Sequence, residues 1–340
     1  MTASQTLPES TAGPLRGGPV LRWGVLGPGG IASDFTASLH DHTDQRVVAV
    51  GSRSAERSAR FAAEHGVDRS HTSYEALLAD PGVDIVYIAT PNNLHRDHAL
   101  AAIAAGKHVL IEKPIAMDGA QAGEIAVAAR AAGVFAMEAM WTRFQPKSTV
   151  IARLLADGAL GDVTYASATL GSRFPQDVQR IWDPQLGGGS LLDLGAYSVW
   201  WTQFALGTPT AVSAVGSLGV TGVDTQAVIS LAYPSAQGVS VSGALATLDN
   251  TGVIAGSEGR IVCGHFLAPG GFTLAASDGR TLEYEDPSGL QWRHALCWQA
   301  VAVAQHIADG RTEAPEHPLD ASIAAMRTLD TARADLGYVF

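Results

Sequence analysis

Short apolar runs alternate with longer amphipathic stretches through the first 140 residues. Residues 22–26, 47–50, 84–89, 109–112 and 134–138 read as buried strands. Residues 31–39, 55–65, 74–79, 95–106 and 119–132 read as the helices between them. Repeated strand–helix alternation predicts a parallel sheet with right-handed crossovers. From residue 162 the period shifts toward two. Residues 163–169, 211–218, 227–233, 239–248, 252–255, 260–263, 272–275 and 281–284 predict strands joined by turns. That pattern suits an antiparallel sheet open on one face. A helical interruption lies after the first of these strands, and stretches at 291–309 and 321–335 close the chain. The expected order is therefore an α/β domain with a parallel sheet, then an α+β domain with an open, mainly antiparallel sheet. Residues 1–20 read as a flexible tail, 21–140 as the first domain and 141–340 as the second.

Composition narrows the function class. A length of 340 residues fits two domains, and 46% hydrophobic content supplies their cores. A net charge of −11 with only 16% charged residues argues against a nucleic-acid partner. No apolar run approaches the ~20 residues that span a bilayer, so no membrane partner is expected. The first residues lack the apolar core of a secretory signal. Cys263 and Cys297 are too few for a disulfide framework and lack metal-ligand spacing. A cytoplasmic setting follows as the default. His95 and His98 are spaced H-x-x-H without a suitable acid or cysteine, so no metal site is expected.

The first strand runs into Gly27-Pro28-Gly29-Gly30-Ile31-Ala32, which fits G-x-G-x-x-A. Its glycines permit a tight turn and a close approach to a pyrophosphate, and Ala32 lets helix and strand pack. The helix that follows offers amide donors to phosphate. The motif sits within a strand–loop–helix–strand span of about 30 residues, as a dinucleotide site requires. The second strand ends in Gly51-Ser52-Arg53-Ser54, with no acid to take a ribose 2′-hydroxyl. Arg53 can meet a 2′-phosphate and Ser52 or Ser54 can donate to it, which favours NADP over NAD. Ser54 also suits a helix cap.

Three lysines occur in the chain, and Lys113 lies between Glu112 and Pro114 at the end of an apolar run. Proline turns the preceding residue away from helix, and strand carboxyl ends are where open α/β folds bind ligands. Trp141, Arg143 and Phe144 crowd one short stretch, as hinge packing or as a substrate wall. In Gly187–Tyr197, Ser190 and Asp193 resemble a capping box, and Asp193 and Tyr197 lie four apart on one helix face.

These motifs together resemble the Gfo/Idh/MocA oxidoreductase family from Leu21 onward. The carriers are Gly27–Ala32, Thr90-Pro91-Asn92 with His95, Glu112-Lys113-Pro114, the stretch from Met137 to Phe144, and Gly188–Tyr197. Tyr197 stands where most of the family has histidine, which is similar to the branch of dimeric dihydrodiol dehydrogenases and NADP-dependent D-xylose dehydrogenases. The resemblance implies a Rossmann domain followed by a domain whose broad sheet forms a homodimer or homotetramer. It implies cofactor contacts from Gly27, Gly29, Gly30, Ile31, Ala32, Ser52, Arg53, Ser54, Thr90, Pro91, Asn92, His95, Glu112 and Lys113. It also implies catalysis by Lys113, Asp193 and Tyr197, with Trp141, Arg173 and Trp182 lining the substrate. The implied activity is NADP-dependent oxidation of a hydroxyl on a cyclic sugar or diol. The alternatives are an NAD-dependent glycoside hydrolase of the same fold, a non-catalytic NADP-binding sensor, or an interaction protein that uses its sheet.

Overall fold

The computed structural model describes residues 6–338, which form two units. One comprises residues 12–144 with 290–323, and the other comprises the chain up to Thr11, residues 145–289 and the chain from Ala324.

In the first unit, strands β1 (Arg22–Leu26), β2 (Arg46–Gly51), β3 (Arg69–His71), β4 (Ile85–Ile88), β5 (His108–Ile111) and β6 (Ala136–Glu138) form one sheet in the order β3-β2-β1-β4-β5-β6. Every pair is parallel. Helices α1 (Gly30–His42), α2 (Ala55–His65), α3 (Tyr74–Leu78), α4 (His95–Ala104) and α5 (Gly119–Ala132) make the connections. Strands covered on both faces need apolar residues throughout, and β4 (Ile-Val-Tyr-Ile) is buried at every position. The strand order reverses between β1 and β4, so the crevice beyond their carboxyl ends is the ligand position of such a sheet.

Two sequence expectations change here. Residues 290–323 lie with the parallel sheet rather than with the rest of the stretch from 141, and the Ala136 amide donates to the Thr312 carbonyl at 3.1 Å. The tail is also held, apart from residues 1–5, which lie outside the described residues. Arg16 and the Gly17 amide both bond the Asp44 carboxylate, and Gln45 Nε2 donates to the Pro19 carbonyl. In the other unit, the Thr11 amide and Ser10 hydroxyl both meet Thr149 Oγ1. Polar side chains thus satisfy this backbone in place of a strand partner.

The second unit opens with α6 (Pro146–Ala156), a helix the polar pattern conceals because nearly its whole first two turns are buried. It continues with β7 (Val163–Gly171), α7 (Gln179–Trp182), a π-helical turn (Leu191–Gly195) and α8 (Ala196–Leu206). Strands β8 (Ala211–Leu218), β9 (Asp224–Ala232), β10 (Gln237–Gly243), β11 (Gly252–Gly256), β12 (Gly259–Cys263), β13 (Phe272–Ala276) and β14 (Thr281–Tyr284) then join β7. The eight-stranded sheet runs β14-β13-β12-β11-β7-β10-β9-β8. Only β7 and β10 pair in parallel, so the sheet is mixed and mostly antiparallel. From Thr225 onward buried and more exposed residues alternate along β9, so one face is covered and one open.

Lys147 is fully buried in this unit, and its ammonium donates to the carbonyls of His265 and Ala268. Burial pulls its pKa down to about 8, with Cys263 and Asp286 opposing. Between about 8 and the ordinary 10.5 the unfolded chain holds the proton more tightly, so this lysine's contribution is full at high pH and is lost as pH falls. The stability margin of the wild type over Lys147→Met is therefore expected to grow between pH 8 and 10, by on the order of 1 kcal/mol per unit. Urea denaturation at several pH values checks this.

Candidate active site

The glycine loop is shaped by what touches it. Gly27 has φ +95°, and a Cβ there would meet the Ala89 carbonyl and the Thr90 methyl at 2.9 Å. Glycine is therefore required where the β1 and β4 loops meet. A Cβ on Gly29 or Gly30 would meet nothing within 4 Å, which leaves open space over the start of α1. Ala32 is fully buried. A tight turn, an open cradle and a helix N-terminus at the switch point fit a dinucleotide pyrophosphate.

At the end of β2, the Ser54 amide donates to Ser52 Oγ, and Ser54 Oγ accepts from the Arg57 amide as the α2 cap. Each hydroxyl accepts in these bonds, so each keeps its own proton to donate. Arg53 between them is exposed.

The loop after β5 is fixed from below. The Tyr87 hydroxyl donates to Glu112 Oε1, and the Lys113 amide donates to Glu112 Oε2 at 3.2 Å. Burial pushes the Glu112 carboxyl up, against the Tyr87 bond and the Lys113 charge. Glu112 thus supports the loop. Lys113 is half-buried, and the Lys113–Pro114 peptide is cis. Beyond it, the Pro114 carbonyl meets His95 Nδ1 at 2.8 Å, and the Ile115 amide donates to Glu138 Oε1 at 3.0 Å. Burial pushes Glu138 up, but the bond and charge of His317 outweigh it and hold the carboxyl low.

His95 differs from the expectation of a cofactor contact. It is 0% exposed, and its other nitrogen lies 2.8 Å from the Thr90 carbonyl. The ring joins the Thr90 loop to the Lys113 loop from inside the fold. Thr90 Oγ1 pairs with His98 Nδ1, and the His98 ring meets Tyr74 edge-on. Pro91 and Asn92 open the short helical turn before α4.

Trp141 is buried and presents to Trp292 edge-on, with centroids 6.3 Å apart. No sequence motif marks Trp292. It is 48% exposed with φ +46°, a backbone conformation that bulky residues rarely hold. Arg143 is structural: it is buried and its Nε donates to the Glu316 carbonyl.

In the other unit, Asp193 lies on the π-helical turn and is ion-paired with Arg180 of α7 at 2.7 Å. The Arg180 guanidinium also sits 5.2 Å over the Phe174 ring. Thirteen positions separate Arg180 from Asp193, so no local sequence pattern links them. Tyr197 follows on the first turn of α8 and is 6% exposed. An i→i+5 turn before α8 changes the simple four-apart phase expected of Asp193 and Tyr197, and such turns recur at functional sites.

The capping-box expectation fails. Ser190 is itself helical, and its hydroxyl donates to Asp224 Oδ2 at 2.7 Å, where the Leu191 amide also donates. Gly189, at φ +114°, is needed because a Cβ would collide with Asp224 Oδ1. Arg173 does face open space: with Phe174, Pro175, Gln176 and Leu245 it lines a cavity of about 510 Å3. Trp182 does not line it. Its ring lies in an apolar cluster with Ile181, Val223 and Ala244, and its indole N–H donates to the Pro175 carbonyl. It shapes the cavity loop from behind.

Known proteins match both units. Residues 21–140 fit the model of an oxidoreductase family with an NAD-binding Rossmann fold, and residues 149–262 fit the GFO/IDH/MocA C-terminal domain. The chain belongs to the Gfo/Idh/MocA family. It is an NAD(P)-dependent oxidoreductase, as the resemblance implied. It is 34% identical over 330 residues to the trans-1,2-dihydrobenzene-1,2-diol dehydrogenase of Mus musculus, with 94% of this chain and 98% of that protein covered. The Homo sapiens protein of the same name is 33% identical over 335 residues, with 94% and 98% covered. Among solved structures of the family, aldose-aldose oxidoreductase from Caulobacter crescentus superposes with a TM-score of 0.83 at 26% identity, covering 93% of this chain and 97% of that one. A 3-ketoreductase from Actinomadura kijaniata, in complex with NADP, gives 0.76 at 26% identity with 94% and 97% covered. No helix among the described residues is long and apolar enough to cross a membrane.

The His95 clamp makes a test. His95→Ala removes the one N–H that a neutral imidazole can donate to the Pro114 and Thr90 carbonyls and empties a buried site, so stability is expected to fall by about 2–4 kcal/mol at pH 8. Burial lowers the imidazole pKa and the carbonyls only partly restore it, so the wild-type margin shrinks as pH falls below 6.5. Denaturant titration across pH checks both effects.

Proposed function

We propose that the protein is an NADP-dependent dehydrogenase that oxidises a hydroxyl of a cyclic polyol, either an aldopyranose or a dihydrodiol. The observation that carries the reading is end-to-end similarity to dihydrodiol dehydrogenases together with a lysine, an acid and a phenol at Lys113, Asp193 and Tyr197. The solved structures of the Actinomadura 3-ketoreductase include a lysine-to-alanine and a tyrosine-to-phenylalanine form, both holding NADP. The choice of those two residue types for substitution supports a lysine–tyrosine pair here.

NADP, when bound, would supply the acceptor for the hydride of the carbinol carbon. The chain's own work is to take the hydroxyl proton and hold the substrate. A phenol has an ordinary pKa near 10 and is a poor base at neutral pH. An ammonium beside it favours the phenolate. In this proposal Lys113 plays that part and Tyr197 takes the proton. Asp193, oriented by Arg180, holds the hydroxyl. Trp292 offers aromatic surface for a pyranose face or an arene, with the buried Trp141 ring packed against it, and Arg173 lies beside the cavity. The preference for NADP rests on the missing acid at the end of β2, the exposed Arg53, and two serine hydroxyls free to donate.

Homo-oligomer formation through the open sheet face belongs to the same proposal. Val215 and Val228 are cross-strand partners, and both are exposed. Tyr165 on β7 adds exposed aromatic surface. Apolar side chains on an open sheet face favour burial against a second copy.

Lys113→Met is expected to lower kcat by about 10²–10⁴-fold while NADP affinity, measured separately by fluorescence titration, changes little. Turnover of a confirmed substrate near the wild-type rate would remove Lys113 from the chemistry.

A further inference from the structure

The outer end of α1 carries a set of donors that the redox chemistry does not use. Asp34, Ser38 and His42 recur at four-residue spacing and so share one face of the helix. The short helical segment Trp292–Leu296 lies against that face. Arg293 pairs with Asp34. The Ser38 hydroxyl donates to the His294 carbonyl at 2.6 Å and accepts from the Cys297 amide at 2.9 Å. These bonds fix the backbone of His294 and aim its ring at the end of α1. There His294 Nδ1 lies 3.0 Å from His42 Nε2, with the rings edge-on at 5.2 Å. The Asp41 carboxylate completes a set of three donor atoms within 4.8 Å of one another.

We propose that Asp41, His42 and His294 bind a divalent transition metal of the zinc class. Zn–N and Zn–O bonds of about 2.0–2.2 Å place tetrahedral ligand atoms roughly 3.3–3.5 Å apart. The two ring nitrogens are already close to that spacing. Asp41 is exposed, so its carboxylate can close the remaining distance by a rotamer change. The fourth position faces solvent and takes water. Two imidazoles and a carboxylate match the nitrogen and oxygen preference of zinc, and neutral imidazole is the ligating form. Burial and the adjacent His294 both disfavour the His42 cation, with Arg16 adding to them and Asp41 opposing. Sequence spacing conceals the site, because 252 positions separate the two histidines. A metal there would fasten the 290–323 excursion to α1, two residues from Trp292.

The test uses the full chain after treatment with a chelator. Calorimetric titration with Zn2+ is expected to give one equivalent with micromolar affinity, and Co2+ is expected to give the visible absorption of a low-coordinate site. His42→Ala and His294→Ala should each weaken Zn2+ binding at least about tenfold, and Asp41→Asn less. Zn2+ should also slow amide exchange over residues 292–296 in the wild type and not in His42→Ala. The variants lie at the surface, and near-ultraviolet circular dichroism confirms that they fold. No stoichiometric Zn2+ binding, or unchanged binding by folded His294→Ala, would show a His–His hydrogen bond only and would overturn the proposal.

Discussion

The backbone around Lys113 is gripped on three sides by buried side chains. Glu112 holds the lysine amide, His95 meets the Pro114 carbonyl, and Glu138 accepts the Ile115 amide. Each holder has its own support. Tyr87 donates to Glu112, the Thr90 carbonyl faces His95, and His317 backs Glu138. A long, flexible cation is useful in proton chemistry only where its root is fixed, since misplacement by about 1 Å can cost 10²-fold in rate. This web supplies that fixity. It also joins the loops after β4 and β5, which border the switch point where the glycine loop opens.

What the sequence revealed and what it concealed divide along physical lines. Features set by local period were legible. Five of the six parallel strands, the glycine turn, the α2 cap at Ser54 and the strands of the second sheet all follow from neighbours within one element, whereas the three-residue polar strand β3 (Arg69–His71) carries no such pattern. Features set by distant partners were not. Ser190 looks like a helix cap because Asp193 lies three residues on, yet its hydroxyl goes to Asp224 at a separation of 34 residues. His95 looks like a loop ligand because its neighbours are polar, yet Pro114 and Thr90 enclose it. Trp182 looks like a substrate wall and is core. The attachment of residues 290–323 to the parallel sheet depends on contacts such as Ala136 with Thr312, which no window of the chain contains.

The same distinction applies to the candidate chemistry. Lys113, Asp193 and Tyr197 were recognisable as residue types in family-specific motifs. Their supporting side chains were not. Arg180 joins Asp193 to Phe174, and Trp292 meets Trp141 from a strained backbone position. A catalytic group is a single residue and can be marked by a motif. The shell that orients it is assembled by the fold from residues with no common signature.

The proposed reaction is hydride transfer from the carbinol carbon of a cyclic polyol to NADP. Its most direct measurement is the initial rate of NADP and of NAD reduction, followed by absorbance, across a panel of aldopyranoses, inositols and trans-dihydrodiols. At least one pyranose or diol is expected to reduce NADP stoichiometrically, and faster than it reduces NAD. Reduction of neither nucleotide by any member, or glycoside cleavage with the nucleotide regenerated at every turnover, would contradict it.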